Sequence, residues 1–570
     1  ELHTPGTGDD FLEDYIEHYP TDSELPAVFA KLDQLYAAER RQSRHEFGKW
    51  MRDSAQPRRA LAQMYLARAE LRLGQRDDAR ETLQRLLADH PPLPALAEAF
   101  LQLAAMEMQA DRAEEVPRIL EAARALRPPP AVLDRINFMA ARAEYSSHQY
   151  RPAAATFRTI ARNGSLSSQV ALFDESLAWL AADDRAQATA SAQELAAKGG
   201  SEEARGDLAL EQGLAEAAHG EKSATQSLQN FLRSFPKHPR ASEAWVALAE
   251  LAFHAAPPRL DEARQNLTHA SENQLTPVAA ERADYLRIWL EDAAGNNDER
   301  ALESATQFLQ KYPNSPLLGE VRLKLAETFY RRQDFASAQT QFELLAQANP
   351  KSPLAEKAQF FAAESAMRSM GKAALDRALV LFDEVVKRDG EMKWAARNEQ
   401  AVIERKLGKP DDAMTLYDEV LKGDAKPAEK REALCGKGDI FYELGATKPE
   451  NYQHAIEIYD QLASDHDASP HWHNQALFKK GMCQEKLNAP ADALATFYGI
   501  IEDESRPERR REFFWFYKAG FNAARLLEEA SKWQPAAAIY EKLAFAGGPR
   551  SEEAKSRLNH LRLEHFLWEQ

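Results

Sequence analysis

Two stretches of this sequence carry residues whose types and spacing could do chemistry, and the first is a histidine pair. His471 and His473 flank Trp472 directly after Pro470, and two imidazoles could bind a metal ion if a third ligand came near. Residues two apart do not share a helix face, so we expect ordinary surface histidines at the rim of a loop. The sequence therefore predicts no metal site and no cofactor.

The second stretch joins a basic cluster to a run of aromatic residues. Four arginines lie between Arg506 and Arg511, and five consecutive aromatics follow from Phe513 to Tyr517. Arginines beside aromatics can hold single-stranded nucleic acid by phosphate pairing and base stacking. A helix cannot hide five consecutive aromatics on one face, so some are expected either between neighbouring elements or in a docking patch. The candidate docking patch comprises Arg509, Arg510, Arg511, Phe514 and Trp515.

Motifs that carry catalytic mechanism are absent from the sequence. It contains no phosphate-binding P-loop, no dinucleotide-binding glycine pattern, no HExxH pair and no GxSxG elbow. The paired carboxylates Asp411-Asp412 and Glu552-Glu553 fall where helices are expected to begin, and the helix dipole explains acidic residues there. We therefore predict that the chain is not an enzyme.

Composition narrows the class of partner. The 570 residues include 72 Lys and Arg against 89 Asp and Glu, a net charge of −17, which disfavours a nucleic-acid partner. No segment approaches the roughly 18 consecutive apolar residues of a membrane span. Cys435 and Cys483 are too few for a disulfide framework and are expected to be small packing residues. We predict protein or peptide partners, no nucleic acid and no direct membrane span, while the sequence gives no oligomeric state.

The elements that position these residues repeat one helix pair, stated most clearly from Leu318 to Pro353. Ala338 is followed four residues later by the large Phe342, and Ser352 with Pro353 offers a cap for the next helix. The small residue of this pair recurs at steps of 35 to 43 residues, and a large residue usually follows four positions later. The recurring positions are Ala79, Val116, Ala153, Ala188, Ala224, Ala263, Ala301, Ala338, Ala378, Ala413, Ala455, Ala493 and Ala536.

A fixed period of about 20 to 50 residues is typical of a solenoid. We predict an all-α fold, a right-handed α-solenoid of about 13 stacked antiparallel helix pairs. Residues 1–56 are predicted to form an atypical N-terminal helical unit or cap. Residues 57–550 form the solenoid, degenerate over 57–300 and clear over 301–550, and residues 551–570 form a C-terminal capping helix. Ala192 and Ala305 break the pattern, because each stands where the large residue is expected.

The spacing resembles the tetratricopeptide repeat family, which pairs a small residue in the first helix with an alanine and an aromatic in the second, then ends on a proline. The resemblance covers about residues 57 to 550. The first small position is held by Ala326, Ala401, Gly438, Gly481 and Ala524. The family's turn between helices is matched by Leu407-Gly408 and Leu444-Gly445, and its closing proline by Pro91, Pro236, Pro313 and Pro350.

The resemblance also implies which side chains meet a partner. In this family the first helices line a concave groove, and fixed positions of each first helix face it. Carried onto the clear repeats, these positions predict a partner-binding groove of Leu323, Glu327, Tyr330, Asn398, Val402, Arg405, Asp439, Tyr442, Phe478, Met482 and Phe521. Packing of these side chains on one another is the alternative interpretation.

The turns Phe235–Pro239, Tyr312–Pro316 and Asn349–Pro353 look like the linkers of bacterial cell-envelope tetratricopeptide proteins, the group around Tol-Pal-associated periplasmic factors and outer-membrane assembly lipoproteins. We therefore expect a non-catalytic scaffold or adaptor in the periplasm or cell envelope, with a cytoplasmic location as the alternative. The chain starts at Glu1 and opens partway through a helical pattern at Phe11. The second hypothesis is therefore the solenoid portion of a larger enzyme or of a secretion or transport machine whose catalytic or membrane segment lies outside this chain.

Overall fold

The computed structural model describes residues 5–39, 44–52, 54–89, 91–163, 168–295, 298–369, 371–505 and 512–567. In these ranges the chain forms thirty α-helices and two short 3-10 turns, Pro94–Leu96 and Ala113–Glu115, and it contains no strand. The prediction of an all-α solenoid is confirmed.

The chain divides into two compact units, residues 1–283 and 284–570. The first unit holds α1 (Pro5–His18), α2 (Leu25–Glu39), α3 (Arg44–Met51), α4 (Arg58–Arg72), α5 (Arg76–Asp89), α6 (Ala97–Gln109), α7 (Val116–Ala125), α8 (Pro130–Ser146), α9 (Tyr150–Arg162), α10 (Ser168–Ala181), α11 (Arg185–Ala197), α12 (Glu202–Ala218), α13 (Ala224–Ser234), α14 (Ala241–Phe253) and α15 (Leu260–Glu272). The boundary between the units falls within α16 (Pro277–Ala293).

The second unit continues with α17 (Asp298–Lys311), α18 (Leu318–Arg331), α19 (Phe335–Ala348), α20 (Pro353–Arg368), α21 (Lys372–Lys387), α22 (Lys393–Lys406), α23 (Pro410–Lys422), α24 (Pro427–Leu444), α25 (Glu450–Ala463), α26 (Pro470–Lys486), α27 (Pro490–Glu504), α28 (Phe513–Glu529), α29 (Trp533–Phe545) and α30 (Ser551–Glu564). From α4 to α29 the helices form thirteen consecutive pairs, in which the even-numbered helix is the first and the odd-numbered helix the second.

Within each unit, first and second helices pack alternately along the chain, as in the series α8, α9, α10 and the series α24, α25, α26. The sequence explains why the two can approach closely. All thirteen small residues of the repeating pattern are at most 3% exposed. On the first helix, Gly481 leaves room for Phe497 of the second, and Gly438 leaves room for Tyr459. The small-and-large pattern is therefore the contact that holds each pair together.

Most turns between the two helices of a pair share one backbone feature that could not be predicted from residue type. A single residue adopts a left-handed conformation, with φ of 76° at Gly408 but also 63° at Gln333 and 57° at Ser531. The amide N–H of the residue that follows donates to a carbonyl five residues back, as from Asp334 to Phe329. This bond closes the end of the first helix.

The structure shows how α20 begins and how the C-terminal helix α30 ends. Ser352 caps α20, and its hydroxyl accepts a hydrogen bond from the Leu354 amide at 3.2 Å, with Pro353 in the first turn. In the C-terminal helix, Leu558 and Leu561 are buried, whereas Leu563 is 66% exposed and Phe566 is 74% exposed. Phe566 lies beyond the end of α30, since the helix stops at Glu564.

No helix in the described ranges is both long enough and apolar enough to cross a membrane. The predicted divisions at residues 57 and 551 stay predictions, as does the right-handed sense of the solenoid.

Candidate partner-binding face

The candidate site lies on the first helices of the second unit. Neighbouring first helices α22, α24, α26 and α28 contact one another directly, in addition to packing on their second helices. Side chains at the predicted groove positions therefore come together from successive repeats. We call the surface that these helices share with α18 and α20 the first-helix face.

Asp439 on α24 is the centre of a polar network that joins three first helices. Its Oδ1 accepts hydrogen bonds from Lys479 Nζ of α26 at 2.6 Å and from the Tyr459 hydroxyl at 2.7 Å. Its Oδ2 accepts a hydrogen bond from Arg405 Nη1 of α22 at 3.3 Å. Lys479 also donates to Cys435 Sγ at 3.1 Å, and burial raises the pKa of the Cys435 thiol. Two predicted groove residues, Arg405 and Asp439, thus neutralise each other within the chain.

Tyr330 forms the corresponding link between α18 and α20. Its hydroxyl donates to Glu364 Oε1 at 2.6 Å, and Arg368, which pairs with the same carboxylate, lies 5.3 Å from the centre of the tyrosine ring. Burial and the neighbouring Glu364 carboxylate raise the pKa of Tyr330. Leu323 is half-buried nearby, while Glu327 is exposed. The sequence interpretation did not include Glu364, which lies on the first helix α20, one turn before Arg368.

Three predicted groove residues are less exposed to solvent than Glu327: Asn398, Val402 and Tyr442. Asn398 is 1% exposed, and its side-chain Nδ2 donates to the Glu429 carbonyl at 3.0 Å and to Glu432 Oε2 at 3.3 Å. Val402 and Tyr442 are half-buried. In this conformation Asn398 is closed to a partner and instead ties α22 to α24.

Glu399, next to Asn398, is a functional candidate that the sequence interpretation missed. Its half-buried carboxylate forms no hydrogen bond or ion pair with any described residue. Burial, together with the nearby carboxylates of Glu432 and Glu364, raises the pKa of Glu399 to about 7, although the charges of Lys406 and Arg368 lower it. Glu399 does not occupy one of the family's partner-facing positions, so no sequence signal marked it.

The first unit has a similar carboxylate on α10. Asp174 is half-buried without a hydrogen bond or ion pair to a described residue, and burial raises its pKa to about 6, opposed by the charge of Arg142. Tyr145 lies on the neighbouring first helix and is 37% exposed. The sequence analysis marked neither residue, because the pattern is degenerate there.

An aromatic cluster occupies the first-helix face at α26 and α28. Phe478 is half-buried and lies 5.2 Å, between ring centres, from Trp515, which is 6% exposed. Phe514 is 53% exposed and meets Trp515 edge-on at 4.7 Å. Lys518 Nζ lies over all three rings, at 4.5 Å from Phe514, 4.9 Å from Trp515 and 5.7 Å from Phe478. We call these four residues the Lys518 patch.

The remaining predicted aromatic positions belong to the packed end of the unit. Phe521 is 7% exposed, with the guanidinium groups of Arg550 and Arg557 at 4.4 and 4.8 Å from its ring centre. Met482 is half-buried in the same hydrophobic cluster. Burial of Phe521 and Met482 is consistent with a packing role.

The predicted docking patch is only partly within the structure. Arg509, Arg510 and Arg511 lie outside the described residues. Among the five aromatics, Trp515, Phe516 and Tyr517 are buried, each at most 6% exposed, whereas Phe514 is exposed. The run therefore contains both buried and exposed rings, and its role as a docking patch stays a prediction.

The expectation of a loop at the histidine pair is wrong, because His471 and His473 lie in the first turn of α26. His473 Nδ1 contacts the Ala463 carbonyl at 2.8 Å, and His471 faces the Glu512 carboxylate at 3.5 Å. Pro470 begins the helix, since proline is well suited to a first helical position. Among the described residues, no three His, Cys, Asp or Glu side chains are grouped to hold a metal ion.

Comparison with known families identifies the repeats. A profile described as tetratricopeptide repeat matches residues 61–92, 282–315, 320–352 and 475–504, and a second of the same description matches residues 370–430. The chain carries tetratricopeptide repeats. The matches support a protein-interaction scaffold. No characterised protein matches the sequence at a significant level.

Several solved structures resemble this tetratricopeptide chain at low identity. Yeast Tom70 is 14% identical, over 83% of this chain and 96% of its own, with a TM-score of 0.31. A chain of the APC/C hetero-tetramer Cut9-Hcn1 is 11% identical, over 98% of this chain and 96% of its own, with a TM-score of 0.33. A tetratricopeptide repeat protein from Parabacteroides merdae is 17% identical over 48% and 98%, with a TM-score of 0.29. At these scores the superpositions carry no argument about function.

Proposed function

We propose that this chain is a non-catalytic scaffold that binds protein or peptide partners along the first-helix faces of its tetratricopeptide repeats, within a bacterial envelope assembly. The observation that carries the proposal is that the first-helix face holds Glu399 and Lys518, charges of opposite sign that pair with no described residue. Leaving a carboxylate half-buried and unpaired costs folding free energy, and such groups in clefts are candidates for function.

The rest of the face supports the same role. Several other charged groups, such as Arg405 with Asp439, pair between successive first helices and help to hold the surface in one arrangement. A preorganised surface loses less conformational entropy when a partner binds. Exposed Glu327 and the exposed ring of Phe514 add polar and apolar contact area.

Site-specific photo-crosslinking in the source cells tests the scaffold role. A benzophenone side chain at Glu327, on the first helix α18, is compared with one at Val380, which is 51% exposed on the second helix α21. We expect protein crosslinks from position 327 and few from position 380. No crosslinks at 327, or equal yields at both positions, would contradict binding along the first helices.

Fractionation of the same cells tests the envelope part of the proposal. The linker-like turns Tyr312–Pro316 and Asn349–Pro353 are its only support. We expect the protein, detected by antibody, with periplasmic and envelope markers. Recovery with cytoplasmic markers alone would contradict this location and leave the scaffold role intact.

A further inference from the structure

The Lys518 patch contains a positive charge that no described residue neutralises. The ammonium group of Lys518 is half-buried above the rings of Phe478, Phe514 and Trp515, and it forms no ion pair or hydrogen bond with a described residue. Aromatic faces attract a cation by roughly 0.5–2 kcal/mol but supply neither a counter-charge nor a hydrogen-bond acceptor. Lys518 therefore keeps its donors available.

Several other cations on the same face have partners within the chain. Lys479 and Arg405 donate to Asp439. Arg525, on the same helix as Lys518, donates to Glu485 Oε2 at 2.7 Å. Lys518 differs from these cations, one repeat away and further along α28, because no described residue pairs with it.

The surroundings fix the aromatic rings beside Lys518. Trp515 Nε1 lies 3.5 Å from His471 Nε2, and the Glu512 carboxylate accepts a hydrogen bond from the Trp515 amide at 2.8 Å, which caps α28. The buried Trp515 ring and the exposed Phe514 ring are therefore held on one helix turn, three and four residues before the lysine. An incoming group meets a preformed cation beside an open aromatic face.

We propose that the Lys518 patch binds an acidic side chain of a partner protein, with its carboxylate on the Lys518 ammonium and an adjacent apolar side chain on the Phe514 ring. Charge complementarity selects the carboxylate, and a charge-assisted hydrogen bond is shorter and stronger than a neutral one. The exposed half of Phe514 selects the apolar neighbour. This inference rests on the proposed scaffold function and assigns one contact within it.

Single-stranded nucleic acid is the competing occupant, since phosphates also pair with lysine and bases stack on aromatics. The net charge of −17 opposes a polyanion far more than a short peptide that carries one carboxylate. The overall charge therefore favours the acidic peptide.

Titration calorimetry with a defined peptide tests the assignment on the full chain. The probe is an acetylated and amidated heptapeptide, Gly-Ser-Phe-Glu-Phe-Ser-Gly, and its counterpart has Gln in place of Glu, so that chain ends contribute no charge. We expect the Glu peptide to bind the unmodified protein at least tenfold more tightly than the Gln peptide. Quenching of tryptophan fluorescence, lost in the Trp515→Phe variant, would locate the peptide at the patch.

Two matched pairs of variants separate the patch from general surface effects. Lys518→Gln should remove the preference for Glu over Gln, whereas Lys542→Gln, which removes a lysine 4.7 Å from the Tyr498 ring on the second helices, should leave it unchanged. Phe514→Ala should weaken both peptides about fivefold, whereas Phe545→Ala, at an 84% exposed position, should weaken neither. Circular dichroism and the urea midpoint verify that each variant folds.

Several outcomes would overturn the inference. They are no measurable peptide binding, equal affinity for the two peptides, or an effect of Lys518→Gln no larger than that of Lys542→Gln. Tight binding of a thymidine decamer that depends on Lys518, with no peptide binding, would assign the patch to nucleic acid instead. Crosslinking at position 327 is independent of these results, so failure of the peptide leaves the scaffold proposal testable by itself.

Discussion

Gly481 on α26 lies so close to Phe497 on α27 that a β-carbon on the glycine would stand 2.5 Å from Phe497 Cε1. The same relationship joins Gly438 to Tyr459, also at 2.5 Å. A small residue on the first helix thus receives a large residue from the second, and this contact explains why the pattern recurs through the chain.

Replacing Gly481 by alanine should destabilise the protein. Overpacking of a tight contact costs about 1–3 kcal/mol, which exceeds the gain of roughly 1 kcal/mol from better helix propensity. Gly499→Ala is the matched control, since no described atom beyond its chain neighbours and its own helix backbone lies within 4 Å of its β-carbon position on α27. Urea denaturation should show a lower midpoint for the first variant and an unchanged or higher midpoint for the second. A higher midpoint for Gly481→Ala would mean that the two helices are not in close contact there.

The turn residue Gly408 gives a prediction about backbone strain rather than packing. Its φ of 76° is disfavoured for residues with a β-carbon, and its surroundings are open. Gly408→Ala should therefore cost about 1–2 kcal/mol in the free energy of unfolding. At the equivalent turn, Gln333→Gly should gain at most about 1 kcal/mol, because relief of strain exceeds the added entropy of the unfolded chain. If both variants shift the thermal midpoint in the same direction, backbone conformation does not determine these turns.

The sequence predicts the repeats because a small residue followed by a large one is a local pattern. It also predicts the Ser352 cap, which depends only on neighbouring residues. It does not predict the left-handed conformation of Gln333 or Ser531, since neither residue is a glycine. In each turn the amide of the next residue donates to a carbonyl of the first helix, and this bond holds the conformation. Local patterns therefore define the elements, and contacts between elements set the exceptions.

In the candidate site, likewise, the sequence predicts which residues share a face but not the contacts between them. The family positions placed Arg405 and Asp439 on one face correctly, but their pairing depends on the distance between α22 and α24. The raised pKa of Glu399 depends on carboxylates contributed by the helices on both sides. Such cross-helix electrostatics cannot be obtained from one helix at a time.

Glu399 predicts a pH dependence of stability. Its pKa of about 7 in the folded chain exceeds the ordinary value of 4.5, so the folded state holds the proton more tightly. Stability should therefore fall as pH rises from about 4.5 through 7, and the full penalty should be present above pH 7. Glu399→Gln should remove this penalty and raise the free energy of unfolding by roughly 1–2 kcal/mol at pH 8, after solvent screening.

Urea midpoints at pH 5 and pH 8 measure the effect. Glu327→Gln is the control, because it makes the same substitution at an exposed position on α18. Its midpoint should differ little from that of the unmodified protein at either pH. A Glu399→Gln variant that is no more stable than the unmodified protein at pH 8 would mean that the carboxylate is already neutralised.

The two exceptions in the repeating pattern predict effects of opposite sign. Ala192 stands where other repeats have a large residue, and the gap remains open as a cavity of about 220 Å³ between α10, α11 and α12. Ala305 also lacks a large side chain, but it is 1% exposed and packs with Phe308 and Val321. The space left by the missing large side chain is therefore open beside Ala192 and filled by neighbouring side chains beside Ala305.

Ala192→Leu should fill part of the cavity and stabilise the protein by about 1–2 kcal/mol, at roughly 0.8 kcal/mol for each buried methylene. Ala305→Leu should overpack its site and cost about 1–3 kcal/mol. Differential scanning calorimetry of both variants checks the signs. Destabilisation by both substitutions would show that the cavity beside Ala192 cannot accept a side chain from that direction, whereas stabilisation by both would show that the core around Ala305 yields more readily than its burial implies.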